Sequence, residues 1–172
     1  MARAYTCRES DNNHAMRVVT IMLLLVGCAG APAKRSETRE PLPELTLPLV
    51  RGGTWSSTSA RGSVLVIDIW ASWCKPCGKA FPKLDALARS GVAVVAISID
   101  EDPAAIDAFL AQFPLAAPVV HDAEQTVTGA PLRISRLPTV LVVDRTGTIR
   151  HRLEEPTERD YDHLGDLVAG VQ

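Results

Sequence analysis

Val64-Leu65-Val66-Ile67-Asp68-Ile69-Trp70 is a near-continuous apolar run, and four residues beyond it stands Cys74-Lys75-Pro76-Cys77. A run without polar alternation is what a central strand covered on both faces requires. After Cys77, Leu84, Leu87 and Ala88 keep one apolar face to about Arg89, and Gly91 lies just past it, which predicts a helix and its end. The cysteine pair therefore sits at a strand-to-helix turn, where two thiols can pass a disulfide to and from a partner. That placement points to redox exchange rather than to a structural cross-link. A disulfide scaffold would spread its cysteines through the domain. Here the other two of four, Cys7 and Cys28, lie near the N-terminus.

Each residue around the pair has an expected part. Cys74, at the first turn of the helix, would lie near unpaired N–H groups and the positive end of the helix dipole, which favours thiolate and makes it the attacking sulfur. Lys75 adds an exposed positive charge. Cys77, three residues on and more buried, would resolve the mixed disulfide by attacking Cys74. Pro76 stiffens the turn and removes an N–H. Asp68 is a carboxylate inside an apolar strand, which is costly without partners. Burial should raise its pKa and make it a proton acceptor for Cys77, the alternative being an acid satisfied by backbone or water. Trp70 reads as core, and Trp73 as part of the rim that meets substrate. Pro82 should kink the helix. Pro138, in Leu137-Pro138-Thr139, is permitted at a strand boundary by its missing N–H alone. A zinc knuckle would need two further ligands, and no second close Cys/His pair exists, so no metal is expected; His121, His151 and His163 are scattered and read as surface or loop residues.

With 172 residues the chain has room for one domain and a small extra segment, and a net charge of −2 gives no footing for nucleic acid. Leu45–Val50 and Thr54–Trp55 predict a short hairpin around Arg51-Gly52-Gly53. Val92–Ile99 reads as a second buried strand, Asp102-Pro103 as the cap and first turn of a helix carrying Ile106, Phe109 and Leu110, and Val119-Val120 as a short strand. Thr139–Asp144 and Thr148–Arg152 read as a hairpin. Thr157, with Asp160 three residues on, should cap a final helix with Tyr161, Leu164 and Val168 on one face. Parallel strands with crossover helices and a closing antiparallel hairpin make an α/β sandwich.

The N-terminus reads as an export signal. Val18–Val26 is apolar except for Thr20, too short for an ordinary membrane span but suited to a signal-peptide core. Leu25-Val26-Gly27-Cys28 resembles the bacterial lipobox, which makes Cys28 the expected lipid attachment point and 1–28 the signal peptide. Glu9 and Asp11 are out of place in a cationic leader, so Met16 is the expected true start. The Ala-, Pro- and charge-rich stretch 29–43 reads as a flexible tether, leaving 44–172 as the folded domain. Residue 29 is Ala rather than Asp; resemblance to Gram-negative lipoproteins then implies the outer membrane.

The stretch from about residue 42 to 172 resembles the TlpA/ResA-like thiol–disulfide oxidoreductases, exported members of the thioredoxin superfamily. The resemblance rests on Val64–Trp70, Ala71-Ser72-Trp73-Cys74-Lys75-Pro76-Cys77, Phe81-Pro82-Lys83-Leu84, Gly91–Ile99, Leu137-Pro138-Thr139 and Asp144-Arg145-Thr146-Gly147. It implies a thioredoxin fold, a central mixed β-sheet with helices on both faces and a strand–helix insertion at about Asp100–Pro118. It implies that Pro138 is cis and faces the cysteines, in a substrate groove with Trp73, Lys75, Pro76, Leu137 and Thr139. Asp68 falls where thioredoxin keeps its buried acid. Relatives often carry Glu three residues after the second cysteine, where this chain has Ala80; Asp100 stands near a strand end where some reductants of apocytochrome c carry an acid; and Gly129-Ala130-Pro131 interrupts a stretch that is helical in relatives.

The implied function is a membrane-tethered reductase of the bacterial cell envelope, facing the periplasm. It would reduce disulfides of exported proteins, with cytochrome c maturation as the commonest role, and draw electrons from a membrane thiol donor. The redox-active Cys74–Cys77 disulfide would be its only redox group, with no other cofactor. A disulfide donor of the same fold is chemically identical in mechanism. A thiol peroxidase with antioxidant activity would carry Pro-X-X-X-Thr-X-X-Cys, which is missing around Cys74. A copper-binding chaperone could use the two thiolates and a histidine, but such carriers space their cysteines one residue wider.

Overall fold

A computed structural model of the chain describes residues 34–172. The expected signal peptide, the lipobox at Cys28 and the start at Met16 lie outside the described residues. Eight strands and four helices follow in order: β1 (Lys34–Pro41), β2 (Thr46–Pro48), β3 (Thr54–Ser56), β4 (Leu65–Trp70), α1 (Cys77–Arg89), β5 (Ala93–Ser98), α2 (Pro103–Gln112), β6 (Val119–His121), β7 (Thr139–Val143), β8 (Thr148–Glu154), α3 (Glu158–Asp162) and α4 (Leu164–Gly170). Six of the strands form one mixed sheet in the order β1-β8-β7-β4-β5-β6, and β2 pairs with β3 in a separate hairpin. Strand β4 is central and buried throughout. It runs parallel to β5, with Asp68 opposite Ala96, and antiparallel to β7, with Asp68 opposite Val140.

Alternation along β4 divides the core. Val66 and Trp70 face one layer with Cys77, Phe81, Leu84, Ile106, Phe109, Tyr161 and Val168. Leu65, Ile67 and Ile69 face the other with Leu45, Leu47, Trp55, Ile97, Leu132, Leu141 and Ile149. In the first layer the rings of Trp70, Phe81 and Phe109 lie 4.5–5.1 Å apart, so the cysteine helix and α2 share one aromatic cluster.

Three expectations need correction. The mixed sheet with helices is the α/β fold expected; what differs is the placement of the helices, expected on both faces, since the apolar buried residues of all four α-helices belong to the first layer. The sheet advances from β4 to β5 to β6 in one direction. Two crossovers of the same hand in the same direction put both helices on the same side. The second face is covered by the β2–β3 hairpin, the 57–60 turn and the segment 122–137, which supplies Leu132, Val127 and Ile134. That segment is held in turns because the Asp122 carboxylate accepts from the amides of Thr126 (2.8 Å), Val127 (3.2 Å) and Thr128 (2.8 Å), offering the backbone an alternative to a helix.

The 29–43 tether is the second. From Lys34 to Pro41 the chain is strand β1, paired antiparallel with β8 at the sheet edge, so the domain includes residues assigned to the tether. Its composition is that of a protected edge, with charged side chains on a strand most of whose residues are exposed. The third is the final helix, which is two short segments divided at His163 rather than one. The Thr157–Asp160 capping box is present as expected. Gly165 in the second segment lowers helix propensity at the break. Where a strand–helix insertion at about Asp100–Pro118 is expected, the chain after β5 forms a helix and then a strand, α2 and β6, ending at His121. Helix α1 is continuous across Pro82. No helix among the described residues is long and apolar enough to cross a membrane.

Candidate active site

The cysteines lie at the carboxyl end of β4, where the parallel strands β4 and β5 open into loops. Helix α1 begins at Cys77 with Pro76 as its cap. Cys74 therefore sits in the turn leading into the helix, three residues ahead of its first full turn, rather than within it. That turn is closed by hydrogen bonds from Cys74 N to Ala71 O (3.1 Å) and from Cys77 N to Cys74 O (3.0 Å). The two sulfurs are joined in a disulfide, with Cα atoms 5.4 Å apart. Burial separates the pair: Cys74 is 6% exposed and Cys77 is 0% exposed. Cys74 is thus the less enclosed of the two and lines a groove, whereas Cys77 is fully enclosed.

Gly78, directly after the inner cysteine, fits against the insertion. A Cβ there would stand 2.8 Å from the Phe113 ring at the end of α2, so any larger residue would require the ring to shift.

A groove of about 490 Å³ opens beside Cys74. Of the residues expected to form it, Trp73, Lys75, Pro76 and Leu137 line it, and Trp73 stands 66% exposed at its rim. Thr139 does not. It is buried at the start of β7, with its hydroxyl donating to Arg136 O at 2.7 Å, because a strand residue next to the central β4 faces the core. Sequence reading missed Ile99, Ile134 and Gln125, which complete the walls from the β5 end and the 122–137 segment. The Leu137–Pro138 peptide is cis, and Pro138 is buried where the groove wall enters β7.

Two buried carboxylates serve this region differently. Asp100, two residues past β5, receives Ser72 N on both oxygens (3.1 and 2.9 Å), Ser72 Oγ at 2.6 Å and Ser98 Oγ at 2.8 Å. It ties the Ala71–Cys74 turn to the end of β5. The signal for it was a polar Ser98-Ile99-Asp100 at the close of an apolar strand. Asp68, fully buried, shares the face of Val66 and Trp70, toward Cys77 and Ala80. Its Oδ1 accepts from the Tyr161 hydroxyl at 3.1 Å, while Oδ2 has no partner among the described residues. Burial pushes its carboxyl from 3.8 up to about 7, against the opposing pull of the Tyr161 hydrogen bond. Burial, reinforced by Asp68, drives the Tyr161 hydroxyl well above its ordinary value, so the phenol stays neutral.

The histidines are apart from one another. The Nε2 of His121 is 2.6 Å from Asp100 O, the Nδ1 of His163 is 2.7 Å from Arg159 O, and His151 lies on β8. Among the described residues no group of three His, Cys, Asp or Glu is placed to hold a metal ion.

Residues 37–167 match the family model described as Redoxin. The thiol-disulfide oxidoreductase ResA of Geobacillus kaustophilus is 27% identical over 112 residues, covering 63% of this chain and 64% of the relative. The thiol:disulfide interchange protein DsbE of Pseudomonas fluorescens is 31% identical over 114 residues, covering 66% of this chain and 64% of that protein. The chain thus spans just under two thirds of the length of these two curated relatives. A crystal structure described as a thiol:disulfide interchange protein DsbE from Chlorobium tepidum superposes with a TM-score of 0.71 at 27% identity. It covers 79% of this chain and 99% of that one.

Proposed function

The chain belongs to the Redoxin family, and from that footing we propose that it is an extracytoplasmic thiol-disulfide oxidoreductase, reducing disulfides in exported proteins. The observation that carries this reading is the unequal placement of two bonded cysteines beside a groove, Cys74 lining it and Cys77 fully enclosed. In the reduced enzyme the Cys74 thiolate attacks one sulfur of a substrate disulfide, and the other sulfur leaves as a thiolate. The Cys77 thiolate then attacks Cys74 Sγ, breaking the mixed disulfide and releasing the second substrate sulfur. Two electrons pass to the substrate, and the enzyme is left with the Cys74–Cys77 bond. A dithiol donor must reduce that bond to restart the cycle, and a membrane thiol carrier is the donor class that fits an exported, tethered enzyme.

Trp73, Lys75, Pro76 and Leu137 are proposed to hold the substrate segment bearing the disulfide, and cis-Pro138 to shape the wall beside it. Asp68 is proposed to take and return the Cys77 proton. Lipidation at Cys28 would hold the enzyme at the envelope membrane, and cytochrome c maturation is the role proposed for it there. Insulin reduction by the purified protein tests the chemistry. Activity should vanish in Cys74→Ser, and retained activity in that variant would overturn the reading. Cys77→Ala should accumulate mixed disulfides that dithiothreitol releases, and their protein partners identify the substrate.

A further inference from the structure

Asp68 is sealed from solvent, yet the proposed chemistry requires it to gain and lose a proton in every cycle. Its strand neighbours Ala96 and Val140 carry no exchangeable side-chain proton. Cys77, Ala80 and Phe81 of helix α1 belong to the layer that this face of β4 joins, and of these only Cys77 carries an ionisable group once the disulfide is open. Helix α3 presents Tyr161, whose hydroxyl is the one side-chain group hydrogen-bonded to Asp68 among the described residues. Asp160, next to Tyr161, has its carboxylate turned to the Thr157 amide and hydroxyl. The surface pairs Lys79–Glu158 and Lys83–Asp162 bridge α1 and α3 above this layer. Tyr161 also has a second environment. With Pro76, Ala80, Pro156 and Thr157 it lines a cleft of about 420 Å³ that opens to solvent and shares only Pro76 with the lining of the substrate groove.

We propose that Tyr161 is a positioning residue that links Asp68 to solvent, carrying protons between the buried carboxyl and water in the Pro76–Pro156 cleft. This rests on the redox reading of Cys74 and Cys77. When a donor dithiol opens the disulfide, Cys77 departs as a thiolate and takes a proton from Asp68 Oδ2, the oxygen without a partner. The Tyr161 hydroxyl gives its own proton to Oδ1 and receives one from water. No charge is left on Tyr161, and the electron pair resides on sulfur throughout. Run backwards, the same chain empties the Cys77 proton to solvent as the disulfide closes. The route opens through a cleft lined by residues other than those of the groove, Pro76 excepted.

The test uses the full chain. Reduction of the disulfide by dithiothreitol is followed by stopped-flow tryptophan fluorescence from pH 5.5 to 9. Wild type, Tyr161→Phe and Asp68→Asn are compared, each with and without imidazole as a small diffusible proton carrier. Tyr161→Phe should slow the reaction at least tenfold, within the range of acid–base contributions. It should also raise the pH midpoint, because a donor to the carboxylate is gone, and imidazole should restore part of the rate. An unmoved midpoint with no imidazole effect, while Asp68→Asn abolishes the pH dependence, would overturn the link and leave the redox reading standing. Failure of the dithiol to open the bond in wild type would instead defeat the redox reading. Should Tyr161→Phe not fold, fluorotyrosine labelling supplies the answer, since Tyr5 and Tyr161 are the only tyrosines. The fluorine signal of Tyr161 should follow a titration near neutral pH that disappears in Asp68→Asn, and a signal flat with pH would refute the contact.

Discussion

Replacing Asp68 with Asn should make the oxidised protein more stable at neutral and alkaline pH relative to acid. The structure sets the size of the effect. The carboxyl is fully buried, and burial moves it from 3.8 to about 7. At about 1.36 kcal/mol per pH unit, that gap amounts to roughly 4 kcal/mol. The sign follows from which state holds the proton. Below about pH 4 both folded and unfolded chains keep it, and Asp68 exerts its full acid-side contribution. Between about pH 4 and 7 the unfolded chain has released it and the folded chain has not, so stability falls steadily as pH rises. Above 7 the folded protein carries a buried carboxylate with one hydrogen bond, and the loss is complete. Asn does not titrate, so its hydrogen-bonding offset is the same at every pH. The difference between variant and wild type should therefore grow by roughly 4 kcal/mol from pH 4 to pH 8 and then level off. Urea unfolding of both oxidised proteins across that range measures it. Keeping the disulfide closed removes the cysteines from the titration. Parallel stability curves would show that Asp68 does not retain its proton on folding, and the argument for it as a store of the Cys77 proton would fail with them.

Three further perturbations probe the frame around the cysteines. Asp100→Ala leaves the amide and hydroxyl of Ser72 and the hydroxyl of Ser98 without their acceptor; it should cost on the order of 3 kcal/mol in denaturant melts, against about 1 for Ser72→Ala, and equal losses would contradict the anchoring role. Gly78→Ala drives a methyl into the Phe113 ring; a loss of about 1–3 kcal/mol is expected, and Phe113→Ala in the same chain should recover much of it if that contact is the cause. Deleting residues 1–41 strips β1 from β8, together with the Thr38 Oγ1 to Ile149 O bond of 2.7 Å. The truncated protein should melt earlier and associate in a concentration-dependent way through the bared edge, and monomeric behaviour with an unchanged melting temperature would make β1 dispensable.

What could be read from residues alone follows the physics of burial. Strands β4, β5 and β7 were legible because a strand covered on both faces must be apolar throughout, and α2 because Asp102 caps it, accepting from Ala104 N at 2.9 Å. Lys34–Pro41 was illegible for the converse reason: an edge strand that buries little has no apolar pattern to show, and its pairing with β8 is fixed by backbone hydrogen bonds more than a hundred residues away. The one-sided placement of helices depends on crossover direction, which no local window carries. The cysteine pair and its strand were visible because they are contiguous. The groove was half visible, since Trp73, Lys75 and Pro76 flank the motif, whereas Ile134 and Gln125 arrive from a segment held by Asp122 turns. Tyr161 was read as a helix-face apolar residue. Its hydroxyl contact with Asp68 spans 93 positions, and spacing holds no record of it.

The two buried acids near the cysteines are distinguished by their donors rather than by their depth. Asp100 has donors on both oxygens, all from the loop and strand end that it joins, which is what holding a turn in one conformation requires. Asp68 has a donor on one oxygen and, among the described residues, none on the other, on the face of β4 that joins the layer of Cys77. An unfilled carboxylate oxygen in a sealed layer is a liability to stability and an asset to proton transfer, because it leaves one site free to take a proton. Ala80, three residues past Cys77, puts a neutral methyl in the first turns of α1, so in the proposed proton exchange Asp68 is the acid on this face. The two substitutions should accordingly separate. Asp100→Ala should lower stability, whereas Asp68→Asn should raise stability above neutral pH and flatten the pH profile of disulfide opening. If Asp68→Asn instead weakened the fold at pH 8 and left that profile unchanged, both acids would be structural anchors and the proton chain through Tyr161 would have no origin.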